Sequence, residues 1–280
     1  MKKLIFIMLV VCLIFIMIQA DDVIRVLYVG DAGVVLGPNI IASAFYYEQK
    51  GYEVNIWCQP VLDALNAEKD ITVEHMTNWR ALKEFPEKPE DIAAKYDVVV
   101  LSDIEQESLV LYPWKRMFES PMGPNRVESI REFVRNGGGL IMIGGWQSFT
   151  GRRGIGNWAN TAVEEALPVN CLEVNDDRNE TPQGVHIERL DKKHPVTKNI
   201  NWEKGPVFTG YTRLEAKPEA KVLARVKETS DPFIVVHEFG KGRSMAFASD
   251  ISPHWGAGFQ KWDKYGDSFA QAIRWLAGRD

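Results

Sequence analysis

The 280-residue chain predicts an α/β fold: an open parallel sheet covered by helices, with extra antiparallel strands in the C-terminal half. Three observations carry this reading. Val23–Val29, Tyr96–Leu101 and Leu140–Ile143 are short, nearly unbroken apolar runs, as parallel strands are when both faces are covered. Helix-like segments alternate with strand-like ones through the first two thirds, which is the βαβ pattern. After Asp176 the texture changes, and strand-like segments follow one another with only turns between them, which predicts antiparallel additions at a sheet edge.

In chain order, Met1-Lys2-Lys3 precedes an apolar run from Leu4 to Ile18 and a small residue at Ala20. Positive flank, short apolar core and small residue are the pattern of a secretory signal peptide. Residues 1–20 are therefore expected to be a cleaved leader, giving a secreted or periplasmic protein. An uncleaved N-terminal membrane anchor is the alternative, although the run is short for a membrane span. The remaining residues, 21–280, show no linker or internal repeat and read as one domain. Val23–Val29 is the first strand, and Asn39–Lys50 has helical spacing ahead of Gly51. Tyr52–Trp57 is a second strand, which makes the first third a βαβ unit. Short helical or irregular pieces are expected at Val61–Leu65 and Trp79–Phe85, a short helix at Pro86–Lys95, and a short strand at Thr72–His75. The third buried strand is Tyr96–Leu101. Asn125–Asn136 carries the apolar stripe of a helix stopped by Gly137. Thr161–Leu167 is a further helix, closed by Pro168. Strands are expected at Val169–Val174, Gly184–Leu190, Val207–Leu214, Ala220–Val226, Phe233–Phe239 and Arg243–Ala248, and a C-terminal helix over Phe269–Leu276.

Composition excludes some functions. With 33 basic and 38 acidic residues the net charge is −5, which supplies no general attraction to nucleic acid or anionic lipid. Cys58 and Cys171 are the two cysteines outside the leader. They belong to no Cys-x-x-Cys or Cys/His cluster, so a structural zinc site is not expected, and no residue is assigned as a metal ligand. Each is expected to be a buried free thiol, a disulfide between them in an oxidising compartment being the alternative, and no cofactor is predicted.

The chemistry gathers where strands end. Ligands of open α/β sheets bind at the carboxyl ends of the strands. There the chain places Asp31, Asp103, the turn Gly144-Gly145-Trp146 with Ser148, and Asp250 with His254 and Trp255. Three carboxylates, an imidazole and two indoles suit a sugar, a small polar ligand or a divalent cation. Each Asp is equally a natural cap for the loop that follows it. His254 is the acid–base candidate, because only histidine titrates near neutrality unperturbed. Asp250 or Asp103 would orient it. Arg178, within Asp176-Asp177-Arg178-Asn179-Glu180, either reaches an anionic ligand or belongs to a solvated loop. Arg152-Arg153, in a glycine-rich loop, reads as a mobile surface element rather than an anion site, since no complete phosphate-loop motif surrounds it.

Taken together, Ser102-Asp103-Ile104, Gly137 to Ser148, Asp176-Asp177-Arg178 with Glu180, and Ser249-Asp250-Ile251-Ser252-Pro253-His254-Trp255-Gly256 resemble the glutamine amidotransferase-like family of bacterial proteins. The resemblance spans nearly all of the chain after the leader. It implies the class I glutamine amidotransferase-like fold, a flavodoxin-like parallel sheet between helices. More distantly the chain is similar to the ThuA-like proteins of trehalose utilisation. Class I glutaminases carry a nucleophile in a Gly-x-Cys-x-Gly turn and a His-Pro-Glu near the chain end. Here Trp146 stands at the cysteine, Ser148 at the second glycine and Gly256 at the glutamate. An indole cannot attack an amide, so glutaminase chemistry is not expected. Three readings remain: a binder of a small polar or carbohydrate-like ligand, a hydrolase or isomerase using His254, and a non-catalytic interaction protein. The ligand-binding set under the first reading is Asp31, Gly144, Gly145, Trp146, Ser148, Arg178 and Trp255, and the catalytic set under the second is His254, Asp250 and Asp103.

Overall fold

The computed structural model describes residues 23–36, 40–43, 46–49, 52–113 and 121–279. The expected leader, residues 1–20, lies outside them. The strands in chain order are β1 (Ile24–Gly30), β2 (Ala32–Leu36), β3 (Ile40–Ser43), β4 (Tyr46–Gln49), β5 (Tyr52–Ile56), β6 (Ile71–Met76), β7 (Val98–Ser102), β8 (Gly139–Ile143), β9 (Val169–Cys171), β10 (Arg178–Val185), β11 (Ile187–Arg189), β12 (Phe208–Thr212), β13 (Leu214–Ala216), β14 (Lys221–Val226), β15 (Pro232–Phe239) and β16 (Gly242–Phe247). Eight of them form one sheet in the order β11-β14-β15-β16-β8-β7-β1-β6.

The stretch from β16 to β6 is parallel, and β15, β14 and β11 extend it antiparallel. Numbered among themselves along the chain, the five parallel strands run 2-1-3-4-5, the flavodoxin-like order. The apolar runs behave as their composition demands, for every residue of β7 and β8 is buried. The antiparallel extension follows from the tight Gly240-Lys241 turn, which pairs Phe239 with Gly242 and returns the chain as β16.

From β1 the chain first moves outward to β6 and then back across β1 to β7. Right-handed crossovers in opposite directions put helices on both faces. Helix Gln59–Asn66 packs with helix Tyr265–Leu276 on one side. Helices Asn78–Glu84, Pro89–Lys95, Arg126–Arg135 and Ala162–Ala166 form the other layer. Asn125 caps Arg126–Arg135 by accepting from the backbone N–H of Val127 and Glu128, and Thr161 caps Ala162–Ala166. Both are good N-cap types, because a short side-chain oxygen reaches the free amides of the first turn.

Two expectations for the first third are corrected. The segment read as a helix over Asn39–Lys50 contains two strands, Ile40–Ser43 and Tyr46–Gln49, paired as an antiparallel hairpin. Its β-branched and aromatic content outweighs the apolar spacing. Tyr52–Ile56 is a strand, but it pairs antiparallel with Ala32–Leu36, away from the main sheet. The partner of β1 is instead β6, so the true unit is β1, helix Gln59–Asn66 and β6. Similarly Val169–Cys171 pairs with Leu214–Ala216 in a separate two-stranded ribbon. Cys58 and Cys171 are both buried free thiols.

Candidate functional site

Register brings the strand ends into one row. Gly30 pairs with Ser102, Ser102 with Ile143, and Ile143 with Phe247. The residues just past that row, from β1, β7, β8 and β16, share one edge of the sheet. The crevice lies between β1 and β7, where strand order reverses, and this is the switch point at which such sheets bind ligands.

The backbone aims two carboxylates there. Asp31 and Asp103 follow adjacent strands, and both are left-handed, with φ of 49° and 44°. Aspartate tolerates that region better than most residues. Gly30, at φ 108°, makes the sharp exit of β1 feasible, because a Cβ there would lie 1.8 Å from the Ser102 carbonyl oxygen. Asp31 is 1% exposed and accepts hydrogen bonds from the hydroxyls of Tyr28 and Ser252. Burial, then the negative charge of Asp250, raises its pKa to about 6. Asp103 accepts from the Gln147 backbone N–H at 2.7 Å. Burial, then Asp250 and Asp31, holds its carboxyl well above the usual range. Gly145 is required beside it, since a Cβ would approach Asp103 Oδ1 to 2.5 Å.

Asp250 is 2% exposed. Its Oδ1 accepts from Ser252 N–H at 2.6 Å, so it acts as a turn cap and also lines the site. His254 Nδ1 lies 3.7 Å from Asp250 Oδ2, close enough for ionic attraction but too long for a hydrogen bond. His254 Nε2 accepts from the Trp146 indole N–H at 2.8 Å. In the neutral ring that bond puts the remaining proton on Nδ1, facing Asp250. Asp31, Asp103 and Asp250 line a cavity of about 250 Å³ together with Trp57, Trp146, Ser252, Pro253 and His254. At this size it suits a small ligand.

The other expected residues serve differently. Ser148 is 1% exposed, and its Oγ accepts from Asp103 N–H, fixing the loop behind the carboxylate. Gly144 makes room for the Ala248 carbonyl. Trp255 is 2% exposed and its indole N–H donates to Glu180. Arg178 pairs with both Asp176 oxygens and with Glu180. It faces the Trp146 ring at 5.2 Å without lining the cavity. Trp57 and Tyr28 were missed. Trp57 carried the one sequence signal, as an aromatic residue directly after a strand. Tyr28 reads only as core until its hydroxyl is seen on Asp31.

A cysteine-based triad is absent among the described residues. Neither Gly144, Gly145 nor Trp146 is left-handed, whereas Asp31 and Asp103 are, as are Phe149 and Arg153 further along the loop after β8. Cys58 does lie 3.5 Å from His75 Nε2. However, the same nitrogen binds the Gly30 carbonyl at 2.8 Å. Burial also raises the thiol pKa and lowers that of the imidazole, the reverse of what a reactive thiolate–imidazolium pair needs. No group of described residues forms a metal-binding cluster.

Fold and site edge together define a glutamine amidotransferase-like protein. Residues 44–278 match the family described as "Putative glutamine amidotransferase", and the chain belongs to that family. Among solved structures it is similar to the Salmonella typhimurium cytoplasmic protein STM3548, with 31% identity, a TM-score of 0.80, and coverage of 90% of this chain and 99% of that one. STM1381 of Salmonella typhimurium LT2, also a cytoplasmic protein, matches at 31% identity and a TM-score of 0.78 over the same shares. A ThuA-like protein from Parabacteroides merdae matches at 13% identity and a TM-score of 0.55, over 91% of this chain and 90% of that one, which shows a shared fold alone. None of the curated proteins compared with the chain matches it.

Proposed function

We propose that this protein binds a small hydroxyl-rich, carbohydrate-like ligand at the β1/β7 switch point and acts on it by proton transfer, not by glutamine hydrolysis. The observation that carries the reading is the convergence of Asp31, Asp103 and Asp250 on one cavity walled by Trp57 and Trp146. Carboxylates pair with hydroxyls in either protonation state, accepting when ionised and donating when neutral. Indole faces supply flat apolar walls with a polar edge. Burial raises the pKa of Asp31 and Asp103, which favours their neutral, proton-donating form, and a carboxyl so placed is suited to act as a general acid. His254 is a second acid–base group, with its Nε2 lone pair occupied by Trp146 until a ligand displaces the indole. The reaction class this supports is isomerisation or hydrolysis. Export by the residue 1–20 leader is part of the proposal, and rests on the charged, apolar and small-residue order of that segment.

The test is calorimetric titration of the full chain with monosaccharides and polyols, followed by Asp103→Asn on whichever binds. Binding that is abolished or weakened at least about tenfold in the variant, the equivalent of one charge-assisted hydrogen bond, supports the reading. Ammonia release from glutamine, or no binding by any member of the panel, overturns it.

A further inference from the structure

Trp146 is a wall shared by two cavities. The first is the aspartate cavity. The second, of about 510 Å³, is lined by Trp146, Gln147, Arg152, Arg153 and Ile155, with no carboxylate among them. Arg152 lies over the Trp146 ring at 4.5 Å. Among the described residues, neither the Arg152 nor the Arg153 guanidinium has a carboxylate within ion-pair distance. Arg178, which faces the same ring, is by contrast fully engaged by Asp176 and Glu180.

The backbone of the surface loop that carries the two arginines is tied down by hydrogen bonds. Asp177, fully buried, accepts from the backbone N–H of Thr150 at 2.9 Å and of Gly151 at 3.0 Å. Arg152 N–H donates to the Trp146 carbonyl at 2.8 Å, and Gly156 N–H to the Thr150 carbonyl at 2.9 Å. The loop therefore holds two unpaired guanidinium groups at one side of the indole, while three aspartates line the cavity that shares it. In a protein of net charge −5, a cationic cavity is not a by-product of general surface charge.

We propose that Arg152 and Arg153 form an anion subsite continuous with the aspartate cavity, so that the ligand is a hydroxylated molecule bearing one anionic terminus, a sugar acid or a sugar phosphate. Carboxylate and phosphate share the recognising chemistry, two anionic oxygens matched to a pair of guanidinium N–H donors. The ligand's hydroxyl-bearing carbons lie along Trp146 and its polar end meets the aspartates. The inference rests on the hydroxyl-rich ligand proposed above and adds the charge.

The test compares D-glucose, D-glucuronate and D-glucose 6-phosphate by calorimetric titration of the full chain, at low and high salt. One or both anionic probes are expected to bind at least about tenfold tighter than glucose, from charge-assisted guanidinium hydrogen bonds. Which of them gains separates a carboxylate subsite from a phosphate subsite. The gain should shrink with salt, because the arginines are partly open to solvent. In Arg152→Ala/Arg153→Ala the preference for the anionic probe should collapse to near unity. Arg153→Ala alone, which keeps the Arg152–Trp146 stack, should lower it about threefold or more, as expected for loss of one partly exposed charge pair. Anionic probes no tighter than glucose, or a preference that survives the double substitution, overturn the subsite while leaving the hydroxyl reading intact. Failure of all three probes to bind overturns both.

Discussion

Asp31→Asn should make the protein more stable at pH 8 while changing little at pH 4. The native state raises the pKa of this carboxyl from 3.8 to about 6. Because the folded value is the higher one, Asp31's contribution is fully present below the unfolded pKa. It is lost as pH rises from about 4 through 6. About two pKa units at 1.36 kcal/mol each put the loss near 3 kcal/mol by pH 8. Asparagine removes the titration but must re-pair the hydroxyls of Tyr28 and Ser252, at a cost of about 1 kcal/mol. The net gain is therefore about 2 kcal/mol at pH 8, or about 4–8 °C in Tm for a chain of this size. Relief of Asp103, whose proton affinity Asp31 raises, acts in the same direction. Denaturant and thermal unfolding at pH 4 and pH 8, on wild type and variant, measure the difference. A variant no more stable than wild type at pH 8, or a gain independent of pH, would refute the claim that an ionised Asp31 is held at a cost.

Gly145→Ala should lower stability by about 1–3 kcal/mol, the usual cost of overpacking. It should also weaken ligand binding, because its Cβ would press Asp103 off the Gln147 amide; thermal unfolding and titration together check both. Trp146→Cys should give no glutamine hydrolysis above background in an ammonia-release assay, because position 146 lacks left-handed geometry and Gly256 supplies no carboxylate. Full-length protein expressed in a Gram-negative host should be recovered from the periplasm with Asp21 at its N-terminus, as N-terminal sequencing would show. An intact chain in the membrane fraction would mean an anchor instead.

The parallel core was legible because burial on both faces leaves little choice of residue. Val98–Leu101 and Leu140–Ile143 declare themselves as strands from composition alone. The carboxyl-edge aspartates were legible for a similar reason, since a ligand site in such a sheet has a fixed address. What stayed hidden depended on partners distant in sequence. Tyr52–Ile56 has every mark of a strand, yet which sheet it joins is decided by pairing with Ala32–Leu36. Ile40–Ser43 and Tyr46–Gln49 have apolar residues at helical intervals, and only their pairing makes them a hairpin. Arg178 looked available because sequence shows that acidic neighbours exist but not that Asp176 grips the guanidinium at both oxygens. That Arg152 and Arg153 lie on a surface loop was legible, but that buried Asp177 ties down its backbone was not, because Asp177 lies more than twenty residues further along.

The two left-handed aspartates bear on how a sheet of this kind carries chemistry. Strand ends at one edge are a row of interchangeable mounting points, each presenting its next residue to the same crevice. In a cysteine glutaminase the reactive group is mounted after the fourth parallel strand. Here that mount carries an indole, and the residues directly after the first and third strands, on either side of the reversal in strand order, are left-handed aspartates, while the loop after the fourth strand has left-handed residues further on, among them Phe149 and Arg153. In this chain both left-handed carboxylates beside the reversal line the same cavity as the indole of the fourth mount, so three neighbouring strand ends meet at one address.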